Sequence, residues 1–283
     1  MSRTIVALHA HPDDESSKGA ATIARYHDRG VRTVLVTATG GEAGEILNSE
    51  AGAAVADVDL AVVRRSELLD AARIIGYDDV VMLGYRDSGM PGSDDNRHPD
   101  AFVNAPLDEV LERLVAIVRA ERPHVILGYD DHEWYPHPDH LRIHDLSTAV
   151  FEAAADPARF PASGDPWAAD RLYAPVFSLR RLRTLSEAMA SRGLESPYVG
   201  WIERVGPDTV DPPLTVIEVG PYVERARDAL RAHRTQIDPN GPWFQIPLDV
   251  VHSVYPYEDF ELLASRDGAD PEGSDLWPPS AAF

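Results

Sequence analysis

"TIVALHAHPDDESSKGAA", residues 4–21, decides how the chain begins to fold. Thr4 to Leu8 run without a polar break, as a strand covered on both faces does. Two histidines, three consecutive acids and a lysine follow at once, and the pattern over 17–29 is helical. In an open parallel sheet the ligand crevice lies outside the carboxyl ends of the strands, so charge of this density at a buried strand's end points to a site.

Working outward, the same alternation recurs. Strands are expected near 4–9, 31–38, 79–84 and 124–129, with helices over 17–29, 58–75 and 107–121; Leu107, Val110, Leu111, Leu114, Val115 and Val118 mark one face of the last. A fourth helix should start near Pro138 and run to about Ala155. This is the signature of an α/β, Rossmann-like fold with a mostly parallel sheet flanked by helices, formed by residues 1–155. The loops at 39–57 and 85–106 are long and rich in Gly, Asp and Pro, as loops serving a site are. After a Pro-rich stretch from Asp156 to Trp167, strand-like runs at 172–179 and 214–219 and a helix near 221–233 indicate a smaller α/β portion. We expect residues 156–283 to pack on the core and complete the pocket; pattern alone leaves open whether they form a domain or a cap. The polar tail from Asp267 is expected to lie on the surface or fray.

The 283 residues carry 47 acids against 26 Lys and Arg, a net charge of -21. Such a surface repels phosphate backbones and anionic headgroups, which argues against nucleic-acid and membrane partners. No apolar run approaches the roughly 18 residues of a membrane span. The N-terminus is a strand running into acids rather than the apolar segment of a signal peptide, so the cytoplasm is the expected compartment. With 0 cysteines, thiolate metal sites and cysteine nucleophiles are excluded, and any metal must be held by His, Asp or Glu. A homo-oligomer is compatible with the sequence.

His11, Asp13 and Asp14 leave the first strand where the crevice should open, and Pro12 stiffens the turn. One carboxylate can coordinate a divalent ion while its neighbour stays free as a base. "YDDHEWYPHPDHLRIH", residues 129–144, repeats the chemistry after the fourth strand with His137, Asp139 and His140. Two histidines and a carboxylate with one open position describe a catalytic metal site. A third His-Pro-Asp, at 98–100, follows no strand and reads as a turn. His27 suits a helix C-terminus, and His124, His132 and His252 read as structural or exposed. His144, four residues after His140, is placed to support it from behind. Lys18 in the first turn of a helix is unfavourable by roughly 0.3–1 kcal/mol, so it either pairs with Glu15 or Asp14 or faces substrate. "TATGGEAGEI", residues 37–46, lacks the spacing and place of a dinucleotide cradle, which disfavours a nucleotide-dependent oxidoreductase, and reads as a pocket-lining loop. "YRDSGM", residues 85–90, offers Arg86 and Asp87 as substrate contacts.

AHPDDE at 10–15 and HPDH at 137–140 resemble the motifs of zinc-dependent N-deacetylases related to N-acetylglucosaminyl-phosphatidylinositol deacetylase. HAHPDDESSKGAAT (9–22), TGGEAGEILN (39–48), YRDSGM (85–90), YPHPDH (135–140) and AHRTQIDPNGPWF (232–244) extend the likeness over nearly the whole chain. The resemblance implies one Zn2+ held by His11, Asp14 and His140; histidine and carboxylate accept Fe2+ as well, so iron is the other candidate. It implies Asp13 as general base, His137 as acid or oxyanion stabiliser, Tyr135 as a donor to the carbonyl, and Asp139 as the group that orients His137. Arg64, in R-x-x-E with Glu67, together with Asp87, Glu42 and Lys18, would contact an amino-sugar substrate. The reaction so implied is hydrolysis of a linear amide on an N-acyl glucosaminide, with Lys18 similar to the residue that separates the family's amidases from the sister deacetylase. The 86–106 loop, the acidic tail and the DDHEWYPHPDH approach to the second cluster depart from the family pattern.

Overall fold

The computed structural model describes residues 3–55, 58–131, 135–206 and 208–277. The chain runs β1 (Thr4–His9), α1 (Asp14–Ser17), α2 (Ala20–His27), β2 (Arg32–Thr39), α3 (Ser49–Ala54), α4 (Leu60–Ile75), β3 (Asp79–Tyr85), α5 (Leu107–Glu121), β4 (Val125–Leu127) and α6 (Pro138–Ala155). It continues with β5 (Arg171–Val176), α7 (Leu179–Ser191), α8 (Val199–Val205), β6 (Leu214–Glu218), α9 (Val223–Ala232), α10 (Pro242–Gln245), α11 (Leu248–Val254) and β7 (Tyr257–Ser265).

Strand β1 lies inside the sheet because both of its faces are apolar. Ile5 and Ala7 point to one side, where Ile23 and Ala24 of α2 and Leu68, Ala71 and Ile75 of α4 cover them. Val6 and Leu8 point to the other, against Leu111, Leu114 and Val115 of α5 and Ile143 and Leu146 of α6. Each Val, Leu or Ile among them, fully buried, contributes roughly 1.5–3 kcal/mol. The helices that supply these faces have local starts and stops. Asp59 caps α4 through Ala61 N–H at 3.0 Å, and Gly76, at φ 107°, ends it.

The sheet order is β3-β2-β1-β4-β5-β7-β6. The pairings from β3 through β5 are parallel, while β7 runs antiparallel to both β5 and β6. The α/β fold with a mostly parallel sheet is as expected. Order reverses between β1 and β4, paired as Ile5 with Val125 and Ala7 with Leu127, and the crevice of such a sheet opens at that switch point. Residues 171–265 extend the same sheet by three strands and carry a third apolar cluster, centred on Leu185, Met189 and Val250.

Three local expectations are corrected. The helix expected over 17–29 is broken into α1 and α2 by Gly19 at φ 83°, a left-handed conformation that suits glycine. Glu258 of β7 then caps α2, accepting from Ala21 N–H at 3.2 Å and Thr22 N–H at 2.8 Å. The strand read to residue 179 ends at Val176, and α7 begins at Leu179. The tail does not fray up to Trp277: Leu276 is fully buried, its N–H donates to the Tyr26 hydroxyl at 3.0 Å, and the Trp277 ring meets Tyr26 edge-on at 4.9 Å. No helix among the described residues is long and apolar enough to cross a membrane.

Candidate active site

Beyond β1 the backbone turns sharply. Asp13 sits at φ 107° as the residue before α1, and the Asp14 carboxylate folds back to accept the His11 N–H at 2.9 Å. Beyond β4, His137 caps α6: its Nδ1 accepts the Asp139 N–H at 3.2 Å, with Pro138 in the first helical position. The two turns face each other across the switch point. His11 Nδ1, Asp14 Oδ2 and His140 Nε2 lie 3.3, 3.3 and 3.4 Å apart, and all three residues are buried. A tetrahedral ion with bonds of about 2.0–2.1 Å has ligand-to-ligand edges of about 3.3–3.4 Å, so this donor set fits a divalent cation.

The far nitrogen of His11 is equally well placed. Its Nε2 lies 3.1 Å from Asp139 Oδ2 and 3.5 Å from Asp87 Oδ1. Asp139 is itself held by the N–H of Ser88 at 3.0 Å and by its hydroxyl at 2.5 Å. A carboxylate behind a ligating imidazole fixes its tautomer and raises its basicity. The expectation that Asp139 orients His137 is therefore corrected: its carboxylate holds His11, and only its backbone N–H holds His137. His11, Asp87, His137 and Asp139 form a second group of donors that share His11.

Adjacent acids take opposite electrostatic settings. Burial works against the Asp14 carboxylate, yet His140, Lys18 and His11 hold it well below the usual carboxylate range. Burial raises Asp13, against the pull of Arg64 and with the push of Asp14. For His11, burial opposes protonation, but the carboxylates of Asp139, Asp14 and Asp87, as acceptors of its ring N–H groups, favour positive charge there strongly. The pocket floor thus attracts a cation. Burial and the neighbouring His11 charge bring His137 down to about 4, leaving it neutral with Nδ1 as acceptor and the proton on Nε2.

Arg64 is buried and reaches Asp13 Oδ2 at 3.1 Å, Pro12 O at 3.2 Å and the carbonyl of Gly41. A Cβ on Gly41, at φ 68°, would overlap its guanidinium. Asp87 accepts from Gly89 N–H at 2.8 Å and Ala43 N–H at 3.3 Å, tying the two long loops together. Tyr135 stands 47% exposed at the mouth, with its ring 5.1 Å from that of His140 and stacked on that of His137 at 6.2 Å. Asp13, Arg64, Asp87, Tyr135, His137 and His140 line a cleft of about 1370 Å³, together with Lys18, Phe177, Trp201 and Trp243.

Several expected positions differ. Lys18 is not in the first turn of a long helix; it closes the single turn of α1, where a cation suits the carbonyl end, and its ammonium pairs with Asp14 beneath the Tyr129 ring at 5.3 Å. Glu42 does not line the cleft; its neighbours Ala43, Gly44 and Glu45 do. Arg86 does not line the cleft and pairs at 2.7 Å with Asp95, which does. His144 holds the Tyr129 carbonyl at 2.8 Å, and Tyr129 in turn meets the His140 ring at 5.0 Å. His98 is the turn residue expected, partly exposed and accepting from Asp100 N–H at 3.2 Å. His132 lies outside the described residues. Sequence reasoning missed Ser88, Tyr129 and His233; His233 lies in the quoted 232–244 stretch, but its partner Glu15 is 218 residues away, and no local pattern links them.

Residues 6–151 match the family model for PIG-L, GlcNAc-PI de-N-acetylase. A mycothiol S-conjugate amidase from Streptomyces coelicolor is 40% identical over 92% of this chain and 92% of its own. A 1D-myo-inositol 2-acetamido-2-deoxy-alpha-D-glucopyranoside deacetylase from Thermobispora bispora is 39% identical, over 94% of this chain and 90% of its own. Among solved structures, an N,N'-diacetylchitobiose deacetylase from Pyrococcus horikoshii superposes with a TM-score of 0.63 at 20% identity, covering 93% of this chain and 84% of the other. The chain belongs to the PIG-L family of GlcNAc-PI de-N-acetylases, enzymes that hydrolyse amide bonds.

Proposed function

We propose that the chain cleaves the amide of a mycothiol S-conjugate in the cytoplasm, giving glucosaminyl-inositol and an S-substituted N-acetylcysteine. The observation that carries this choice is the cleft. One continuous space joins the His/Asp floor to an apolar wall in which Phe177 lies 6.0 Å from Trp201 and 5.8 Å from Trp243, ring centre to ring centre. An acetyl group needs no such wall, whereas an S-substituted acyl arm gains from burying its apolar end there.

A divalent ion held by His11, Asp14 and His140, Zn2+ or the similarly bound Fe2+, would polarise the amide carbonyl and acidify water. Asp13, fixed by Arg64 at 3.1 Å and facing the cleft, takes the proton of the attacking water as general base. His137 presents its Nε2–H to the carbonyl oxygen and keeps that proton, while the proton taken by Asp13 passes to the leaving amine. Tyr135 at the mouth supplies a second donor to the developing negative charge. Asp87 braces the loops that frame the sugar, and Lys18 contacts the acyl arm.

The test is amine release from a mycothiol S-conjugate and from N-acetylglucosaminyl-inositol, with and without chelator. The S-conjugate should have the higher kcat/KM by about tenfold or more, and Trp243→Ala should lower that value about tenfold while leaving the acetyl substrate within about twofold, the range one apolar contact commands. Lys18→Ser should shift the ratio toward the acetyl substrate; an unchanged ratio removes Lys18 from specificity. Faster turnover of the acetyl substrate by the unaltered enzyme would assign the chain to the sister deacetylase activity.

A further inference from the structure

We propose that His233 and Glu15 are a buried positioning pair that aims the Asp13 carboxylate at the cleft. The inference rests on Asp13 being the general base. Asp13 is one of three non-glycine residues with positive φ among those described, the others being Arg122 and Phe160. A left-handed conformation at such a residue costs on the order of 1–3 kcal/mol and persists only where its surroundings over-determine it. The Asp13 side chain makes no cap bond to α1 that would compensate.

Glu15 and His233 supply the constraint. The Asp13 N–H donates to Glu15 Oε2 at 3.0 Å, while Glu15 Oε1 meets His233 Nε2 at 2.6 Å and the Ser16 hydroxyl at 2.5 Å. Glu15 and His233 are both fully buried, and neither lines the cleft. They therefore act through Asp13 rather than on substrate. His233 is anchored in turn. It ends α9, its carbonyl accepts from Gln236 N–H at 3.1 Å and Ile237 N–H at 2.9 Å, and Thr235 beside it is gripped by Glu67 of α4 at 3.0 and 2.7 Å. A buried ion pair adds little net stability over apolar packing of the same volume, so stability alone does not account for this one. Its geometric effect is specific: Glu15 fixes the Asp13 backbone while Arg64 fixes its carboxylate. Displacing a catalytic group by about 1 Å costs about 10²-fold.

The experiment is a double-mutant cycle on the full-length, metal-loaded enzyme with whichever of the two substrates it turns over faster. His233→Phe should lower kcat about 10- to 100-fold, with KM within about twofold and the metal stoichiometry unaltered. His233→Gln, which restores an N–H near Nε2, should recover kcat to within about threefold. In an Asp13→Asn background His233→Phe should change kcat by less than about twofold, because the group it aims is gone. Should His233→Phe be recovered unfolded, His233→Asn, whose shorter amide stops short of Glu15, takes its place with the same expected pattern. An equal fold-loss from the His233 change in both backgrounds, or KM, metal content and kcat falling together, overturns the proposal and leaves the general-base reading intact. Full activity of Asp13→Asn overturns the general-base reading, and the positioning role with it.

Discussion

His-Pro-Asp occurs three times in this chain, at 11–13, 98–100 and 137–139, and the structure gives it two fates. The first and third copies follow β1 and β4, the adjacent strands between which sheet order reverses, and lead into α1 and α6; their histidines are buried against each other with ring centres 4.5 Å apart. The second lies in the loop after β3, where His98 is partly exposed and closes its own turn onto Asp100. The tripeptide is the same, so its chemistry does not choose the fate. A buried strand before it and a helix after it do, because they hold the imidazole rigid and desolvated at a shared crevice.

The comparison can be broken at either kind of copy. The largest effect is expected from His140→Ala, which removes one corner of the donor triangle beside the third copy; kcat/KM should fall about 10³-fold or more, the order of several kcal/mol of lost charge stabilisation. Steady-state kinetics with added metal check it, and recovery at high metal would show a weaker contribution. Asp139→Asn sharpens the contrast, since this copy's carboxylate supports the first copy's imidazole: metal affinity should drop about 10- to 100-fold, read by competition with a chelating dye. The smallest effect belongs to His98→Ala, for which activity and metal binding should not change and stability should stay within about 0.5 kcal/mol in denaturant melts. A loss of activity there would mean that the tripeptide matters without its strand.

The same contrast explains how much of the molecule was legible in its sequence. Helices α5 and α6 were readable to the residue because their apolar side chains keep helical spacing and Pro138 marks a start. The two acid-rich strand ends were readable because charge after a buried strand has few structural reasons. Strand β7 was not, since YEDFELLAS mixes acids into an interior strand whose Asp259 is satisfied by the Ser178 and Tyr255 hydroxyls and by Arg180 at 3.6 Å, groups that no strand pattern announces. The break at Gly19 needed a backbone conformation that periodicity does not encode, and the burial of Trp277 needed Tyr26 to receive it. Within the site, residue identity pointed to the donors, but which carboxylate stands behind which imidazole depends on α6 as a rigid body. Asp139 therefore came to His11, and His233 to Glu15, by packing rather than by sequence distance.

The central claim is that the ends of β1 and β4 build one cation site between them. Titration of the metal-free, full-length protein with Co2+, read by the visible absorption of the bound ion, tests it most directly. The expected result is one equivalent bound in a tetrahedral environment, abolished by His11→Ala and by His140→Ala alike and untouched by His98→Ala. Absence of saturable binding, or a site that survives the loss of either His11 or His140, would contradict it.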